Sequence, residues 1–343
     1  MSDSPFTSTA FSPLMDRFQR PVQKLRISLT DKCNFRCTYC MPEEGLPWLP
    51  EERVLSNPEI LRLTRLFIQG GVTHVRLTGG EPLLRKDLLP LVKSLAELPL
   101  KKLAMTTNAT LLPRHAEGLY LAGLRSFNVS LDSLIPERFA QSVRRDALQK
   151  VNQGLEILHQ LEQTHGHPCD IKINVVVIKD FNEDEALDFA ALARQRGWTV
   201  RFIEFMPLGK DDHWSHRVVV PGETLRSRID KVYPLVQIEQ AGKNPASRWQ
   251  FADGSPGEIG FINSVSEPFC GQCNRVRLTA DGQLRTCLFS LKEHHLLNLM
   301  REGASDADIY AAIAQAIDKK EAGHLINSPN FQRPERTMSS IGG

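Results

Sequence analysis

From residue 25 onward, two hydrophobic patterns take turns along the chain. Short runs of apolar and β-branched residues at 25–30 (LRISLT), 74–78 (HVRLT), 102–107 (KLAMTT), 126–131 (SFNVSL), 171–178 (IKINVVVI) and 200–205 (VRFIEF) read as strands. Between them lie longer stretches of helical period. One of these, LSNPEILRLTRLFIQGG, predicts a helix capped by Ser56 and ended at Gly70 and Gly71. Strands alternating with helices predict βαβ units and a parallel sheet with right-handed crossovers. Six such units over residues 25–209 suit an α/β fold, a partial (β/α)6 barrel of the TIM type, although a doubly wound open sheet gives the same local pattern. Polar and cysteine-bearing segments follow several different strands. A barrel assembles its active face there, so the barrel is the expected fold.

The alternation stops past Gly209. HWSHRVVVPGETLRSRIDKVYPL predicts a loop and a short helix, whereas EIGFINSV and NRVRLTADGQLRTCLF predict strands, the last two joined by a turn at Asp281 and Gly282. A final helix over DADIYAAIAQAIDKK precedes an extended tail ending in SSIGG. The expected organisation is an N-terminal extension over 1–24, the barrel over 25–209, and a C-terminal extension over 210–343 that caps it.

Composition narrows the function without changing the fold. With 41% hydrophobic and 24% charged residues in 343, the chain suits a soluble globular protein that needs no covalent staples. Its formal net charge of +2 is far below that of a general nucleic-acid binder, so any phosphate recognition has to be local. The N-terminal stretch lacks a basic and then apolar leader pattern, and no run of about eighteen apolar residues occurs. The expectation is a cytoplasmic protein with neither membrane nor nucleic acid as partner.

Six of the seven cysteines fall into two triads. Cys33, Cys37 and Cys40 are spaced C-x3-C-x2-C in the loop after the first strand; Cys270, Cys273 and Cys287 are spaced C-x2-C-x13-C. Cys169 stands alone and reads as a small buried hydrophobe. Odd-numbered sets in a reducing compartment point to metal ligation rather than disulfides. Three soft thiolates on one short loop suit iron–sulfur or zinc, and at the second triad His294 or His295 could complete a zinc site. A cubane held by three cysteines leaves one iron open to a small molecule.

The first triad, with Tyr39 just before its last cysteine, resembles the signature of radical S-adenosylmethionine enzymes, and TGGEP at 78–82 resembles their second signature. Within that superfamily, RFIEFMPLG, TTN, NVSLDSL, IKINVVV, CGQCNRVRLTADGQLRTCLF and the terminal IGG resemble, in order, the GTP 3',8-cyclases of molybdenum cofactor biosynthesis. The likeness runs from about Asp16 to Gly343. It implies two [4Fe-4S] clusters, on Cys33, Cys37 and Cys40 and on Cys270, Cys273 and Cys287, with S-adenosylmethionine on the first and the purine of GTP on the second. It further implies a C3' radical of GTP that closes onto C8. A reductant protein, cyclic pyranopterin monophosphate synthase downstream and a possible homodimer follow from the same likeness.

Site residues carry over position by position. Tyr39, Gly80, Ser130 and Met206 match S-adenosylmethionine contacts. Arg26, Arg76, Thr106, Lys172, Arg275, Val276 and Arg277 match GTP contacts, and on a strand Arg275 and Arg277 share a side. Gly342 and Gly343 match a tail that enters the active site in support of catalysis. Two departures concern loop geometry: Ala109 stands where the family has glycine, and Val143 and Arg144 replace a Thr-Gly pair.

Overall fold

The computed structural model describes residues 11–209, 214–239 and 245–342. Its strands are β1 (Lys24–Ser28), β2 (His74–Thr78), β3 (Lys102–Thr107), β4 (Ser126–Ser130), β5 (Asp170–Val177), β6 (Thr199–Glu204), β7 (Leu235–Gln237), β8 (Ser247–Phe251), β9 (Glu258–Ile262), β10 (Arg275–Leu278), β11 (Gln283–Arg285) and β12 (His294–His295). Its helices are α1 (Asn57–Gln69), α2 (Leu88–Ala96), α3 (Leu112–Leu121), α4 (Pro136–Val143), α5 (Leu148–His165), α6 (Ala186–Arg196), α7 (Gly222–Asp230), α8 (Leu296–Arg301), α9 (Asp306–Asp318) and α10 (Met338–Ile341).

These strands form one open sheet in the order β12-β11-β10-β1-β2-β3-β4-β5-β6-β9-β8-β7. β1 to β6 pair in parallel, each step crossing through helix, as the alternating pattern predicts. The C-terminal extension does more than cap this barrel. β10 adds in parallel to β1 and β9 in parallel to β6, so both open edges of the six-stranded wall are covered by the chain's own later strands.

Period 2 sorts the side chains of the wall. Leu25, Ile27, Val75, Leu77, Met105, Phe127, Val129, Ile171, Ile173 and Val200 are buried in the core that also holds Ile60, Leu63, Phe67, Leu91 and Leu95 of the helices. The alternate positions face the concave side and are polar: Arg26, Arg76, Asn128, Lys172, Arg201 and Arg277 among them. Helix α1 starts as the sequence predicts, with a capping box in which Ser56 and Glu59 serve each other's backbone N–H groups.

The tail departs from the extended reading. Met338–Ile341 close one helical turn because Ile341 is buried with Leu208, Val265, Phe289 and Ile326 in a small second core. Apolar contact, not local propensity, orders it.

Ala109 holds φ 63°, the left-handed conformation that glycine adopts freely. An L-residue there costs about 1–2 kcal/mol. Burial of its methyl returns about 0.8 kcal/mol, and the smaller chain entropy lost relative to glycine returns about 0.5–1 kcal/mol. The three nearly cancel, so Ala109→Gly is expected to shift unfolding stability by under about 1 kcal/mol in denaturant titration; a change of about 3 kcal/mol would show that the loop is held by something else.

Candidate active site

Strand β1 delivers the chain into the first cysteine loop, and the loop after β2 locks it in place. Gly80 N–H donates to the Thr30 carbonyl and Glu81 N–H to that of Lys32, both at 2.7 Å. A Cβ on Gly80 would lie 2.3 Å from the Lys32 carbonyl oxygen and 2.5 Å from that of Asp31. The close approach that this glycine permits is therefore made by the cysteine loop's own backbone. Glu81 is buried and accepts from Leu83 N–H, Asn108 N–H and the Thr107 hydroxyl, tying the ends of β2 and β3 together; burial raises its carboxyl to about 7.

The three thiols are mutually aware. Burial raises Cys33 to about 11 and, with Cys33 nearby, Cys40 to about 12; burial and the neighbouring Cys40 and Asp132 raise Cys37 well above the ordinary thiol value. Three thiolates so placed need a cation to exist. Among the described residues no three His, Cys, Asp or Glu side chains converge tightly enough to hold one metal ion. A cubane asks for a wider triangle, since each thiolate takes a different iron. The donor set fits such a cluster.

Tyr39 is anchored by a 2.7 Å hydrogen bond to Asp132, whose other oxygen accepts Val176 N–H, and its ring meets Phe205 edge-on at 6.4 Å. Ser130 ends β4 two residues before Asp132. Met206 borders the small second core together with Met338 of the tail and Cys287 of the other triad. Helix α10 lies between the two triads: Ser339 sits close enough to the Cys40 thiol to favour its charged form, and the Gly342 carbonyl accepts from Arg277. A Cβ on Gly342 would sit 2.4 Å from the Thr78 hydroxyl, and its φ of 72° also favours glycine. Gly343 lies outside the described residues.

Cys270 opens a single 3-10 turn before β10 and Cys273 follows it, while Cys287 follows β11. Burial alone would raise Cys273, but Arg275 and Lys320 bring it down to about 6. Lys320 reaches both the Cys273 sulfur, at 3.6 Å, and the Arg275 carbonyl. The His295 ring is engaged by the Gln283 amide at 2.7 Å. The N-terminal segment supports this site through Arg20, which pairs with Asp16 and donates to the carbonyls of Cys270, Glu321 and Ala322.

Between the triads the wall is cationic. Register places Arg26 beside both Arg76 and Arg277, and Lys24 beside Arg275; Thr106, Asn128 and Lys172 continue across β3 to β5. Burial and mutual repulsion bring Arg76 and Arg277 down to about 9 and hold Arg26 well below the usual guanidinium range. Lys172 shares Asp170 with Lys102, and one carboxylate cannot balance two ammoniums in a half-buried wall that also holds Arg201 and Arg76. Val276 differs from its matched neighbours: its side chain turns to the opposite face and is buried in the core. Sequence reading missed Arg201, Asp132, Glu81, Lys320 and Arg20. Only Arg201 was legible, by the same alternation that selects Arg275 and Arg277.

Cysteine-bearing loop, open parallel wall and cation-lined concavity define a radical S-adenosylmethionine fold, and the Radical SAM superfamily model matches residues 27–193. The Molybdenum Cofactor Synthesis C model matches residues 198–326. The chain is similar in fold to Streptococcus suis SuiB bound to S-adenosylmethionine, with a TM-score of 0.62, 14% identity, and 92% of this chain and 76% of that one covered. It is 41% identical to the GTP 3',8-cyclase of Syntrophomonas wolfei over 96% of this chain and all of that protein. It is 43% identical to the one from Mycolicibacterium smegmatis over 97% and 93%. The chain belongs to the GTP 3',8-cyclase family of radical S-adenosylmethionine enzymes. Membership implies S-adenosylmethionine and an iron–sulfur cluster. No described helix is long and apolar enough to cross a membrane.

Proposed function

We propose that this chain cyclises GTP to (8S)-3',8-cyclo-7,8-dihydroguanosine 5'-triphosphate, the first step of molybdenum cofactor biosynthesis. One observation carries the reading: two three-cysteine sites meet a single arginine-lined wall, bridged by the C-terminal tail. Cys33, Cys37 and Cys40 would hold the cluster that binds S-adenosylmethionine, and Cys270, Cys273 and Cys287 a second one. When bound, these groups supply the 5'-deoxyadenosyl radical and a seat for the purine. The family of 41–43% identical relatives favours GTP over a peptide substrate.

The chain's own residues do the rest. Tyr39, Gly80, Ser130 and Met206 would surround S-adenosylmethionine, with Asp132 fixing Tyr39. Arg26, Arg76, Lys172, Arg275, Arg277 and Arg201 would take the triphosphate, whose oxygens suit guanidinium forks. Thr106 adds a hydroxyl, and Val276 could serve only through its backbone. Gly342 and Gly343 would bring a side-chain-free tail over the bound nucleotide and limit water. We further assign residues 25–209 to the barrel and 210–343 to the cluster-bearing extension, a cytoplasmic setting, a reductant protein, cyclic pyranopterin monophosphate synthase as next enzyme, and a homodimer.

Anaerobically reconstituted protein with reductant, S-adenosylmethionine and GTP is expected to form 5'-deoxyadenosine together with a cyclised nucleotide. Its failure to form the nucleoside would overturn the reading.

Proton uptake gives a separate check. Burial, Lys102, Arg201 and Arg76 bring Lys172 down to about 6, against the opposing pull of Glu258. At pH 7 the free amine is then mostly neutral, and a triphosphate beside it restores the charge. GTP binding at pH 7 is expected to take up a proton, read calorimetrically in buffers of different ionisation heat. Uptake should fade below pH 6, where the group is already charged, and disappear in Lys172→Met. Buffer-independent heats in the parent would contradict this role.

A further inference from the structure

Helix α4 ends at Val143, and the residue that follows is an arginine in the left-handed conformation, φ 53° and ψ 37°. Glycine would adopt that conformation without strain. The Arg144 side chain explains what the strain secures. Its Nη1 donates to the carbonyl of Arg36 and to that of Met41, each at 3.2 Å. Arg36 directly precedes Cys37 and Met41 directly follows Cys40. A single nitrogen therefore ties together the two ends of the Cys37–Cys40 turn.

The backbone completes the junction from the other side. Arg36 N–H donates to the Val143 carbonyl at 3.1 Å and Thr38 N–H to that of Ser142 at 3.0 Å, so the cysteine loop occupies the carbonyls that the end of α4 leaves open. Within the loop, Cys40 N–H and Met41 N–H both donate to the Cys37 carbonyl. The nearest acid in ion-pair range of Arg144 is Glu43, at 3.9 Å and largely exposed. The guanidinium is thus engaged chiefly by the two loop carbonyls.

We propose that Arg144 is a positioning residue for the first cluster: by bridging the Arg36 and Met41 carbonyls it sets the spacing of the Cys37 and Cys40 thiolates, and so the fit of the open iron to its ligand. This rests on the first triad holding that cluster.

The test compares reconstituted parent, Arg144→Gly, Arg144→Lys and Cys37→Ala, following iron release to a chelator without oxygen and the electron paramagnetic resonance of the reduced protein with and without S-adenosylmethionine. Arg144→Gly relaxes the backbone, so its thermal unfolding is expected to match the parent. Its first-site iron should nevertheless leave about 10-fold to 100-fold faster, with a weakened spectral response to S-adenosylmethionine. Arg144→Lys, whose ammonium is a poorer bridge between two carbonyls, should fall between. Parent-like release and parent-like spectra in Arg144→Gly, with iron lost in Cys37→Ala, would overturn the clamp alone. Full iron in Cys37→Ala would overturn the cluster assignment beneath it.

Discussion

Replacing Gly80 by alanine is expected to empty the first cysteine site nearly as completely as replacing Cys37 itself. The φ of Gly80 is not in the left-handed range, so the cause is space. Its new methyl would sit 2.3 Å from the Lys32 carbonyl oxygen and 2.5 Å from that of Asp31, and both are backbone atoms that cannot rotate away. Overpacking of this kind costs about 3 kcal/mol. The cheapest relief is to push the Asp31–Lys32 segment outward, breaking the hydrogen bonds from Gly80 N–H and Glu81 N–H to the carbonyls of Thr30 and Lys32. Cys33 is the next residue, so it moves too. The reconstituted protein should lose the iron of the first site, about four per chain for a cubane, and 5'-deoxyadenosine formation should drop to background. Gly118→Ala is the matched control: its methyl would meet only Leu89, at 3.4 Å, and inside α3 it should be neutral or slightly stabilising. Full iron and undiminished turnover in Gly80→Ala would mean that the loop yields without losing its cysteine geometry.

Much of this was legible because the wall is made of local patterns. The strand at 74–78 and that at 102–107 were readable to the residue, and the start of α1 announced itself in Ser56, to which the structure adds Glu59 as the other half of a capping box. The cysteines stand out by their spacing, whereas the basic strand positions were singled out by the family resemblance, with period 2 adding only that Arg275 and Arg277 share a side. Contacts between distant segments were not readable. That β9 and β10 cover opposite edges of the same sheet follows from a parallel pairing with no local signal. Asp132 and Glu81 look like ordinary loop acids in sequence, and only burial among N–H and hydroxyl donors reveals their work. Arg20 shows the same limit: its three carbonyl partners lie some 250 to 300 residues away. The tail helix was missed because one buried isoleucine, Ile341, orders it.

Arg76→Met is expected to move stability and nucleotide affinity in opposite directions. Among the described residues Arg76 forms no ion pair, and it faces Arg201, Arg275 and Arg277 across the concave wall. A guanidinium cannot shed its proton at pH 7, so partial burial among like charges is a standing cost of the folded, ligand-free state. Solvent in the concavity screens much of it, leaving on the order of 1 kcal/mol. Removing the charge while keeping an apolar stem of similar length should raise the ligand-free melting temperature by about 1–2 °C. On the proposed placement of the nucleotide, the same change removes a charge-assisted contact to the triphosphate, worth about 1.5–3 kcal/mol, or roughly 10-fold to 100-fold in dissociation constant. Adding GTP should therefore stabilise the variant much less than the parent, so their melting curves cross as nucleotide is titrated. Melting temperatures that fall in the ligand-free variant would show that Arg76 braces the barrel, and an unchanged GTP response would remove it from the binding wall. Both measurements together separate a cation kept for its ligand from one kept for its fold.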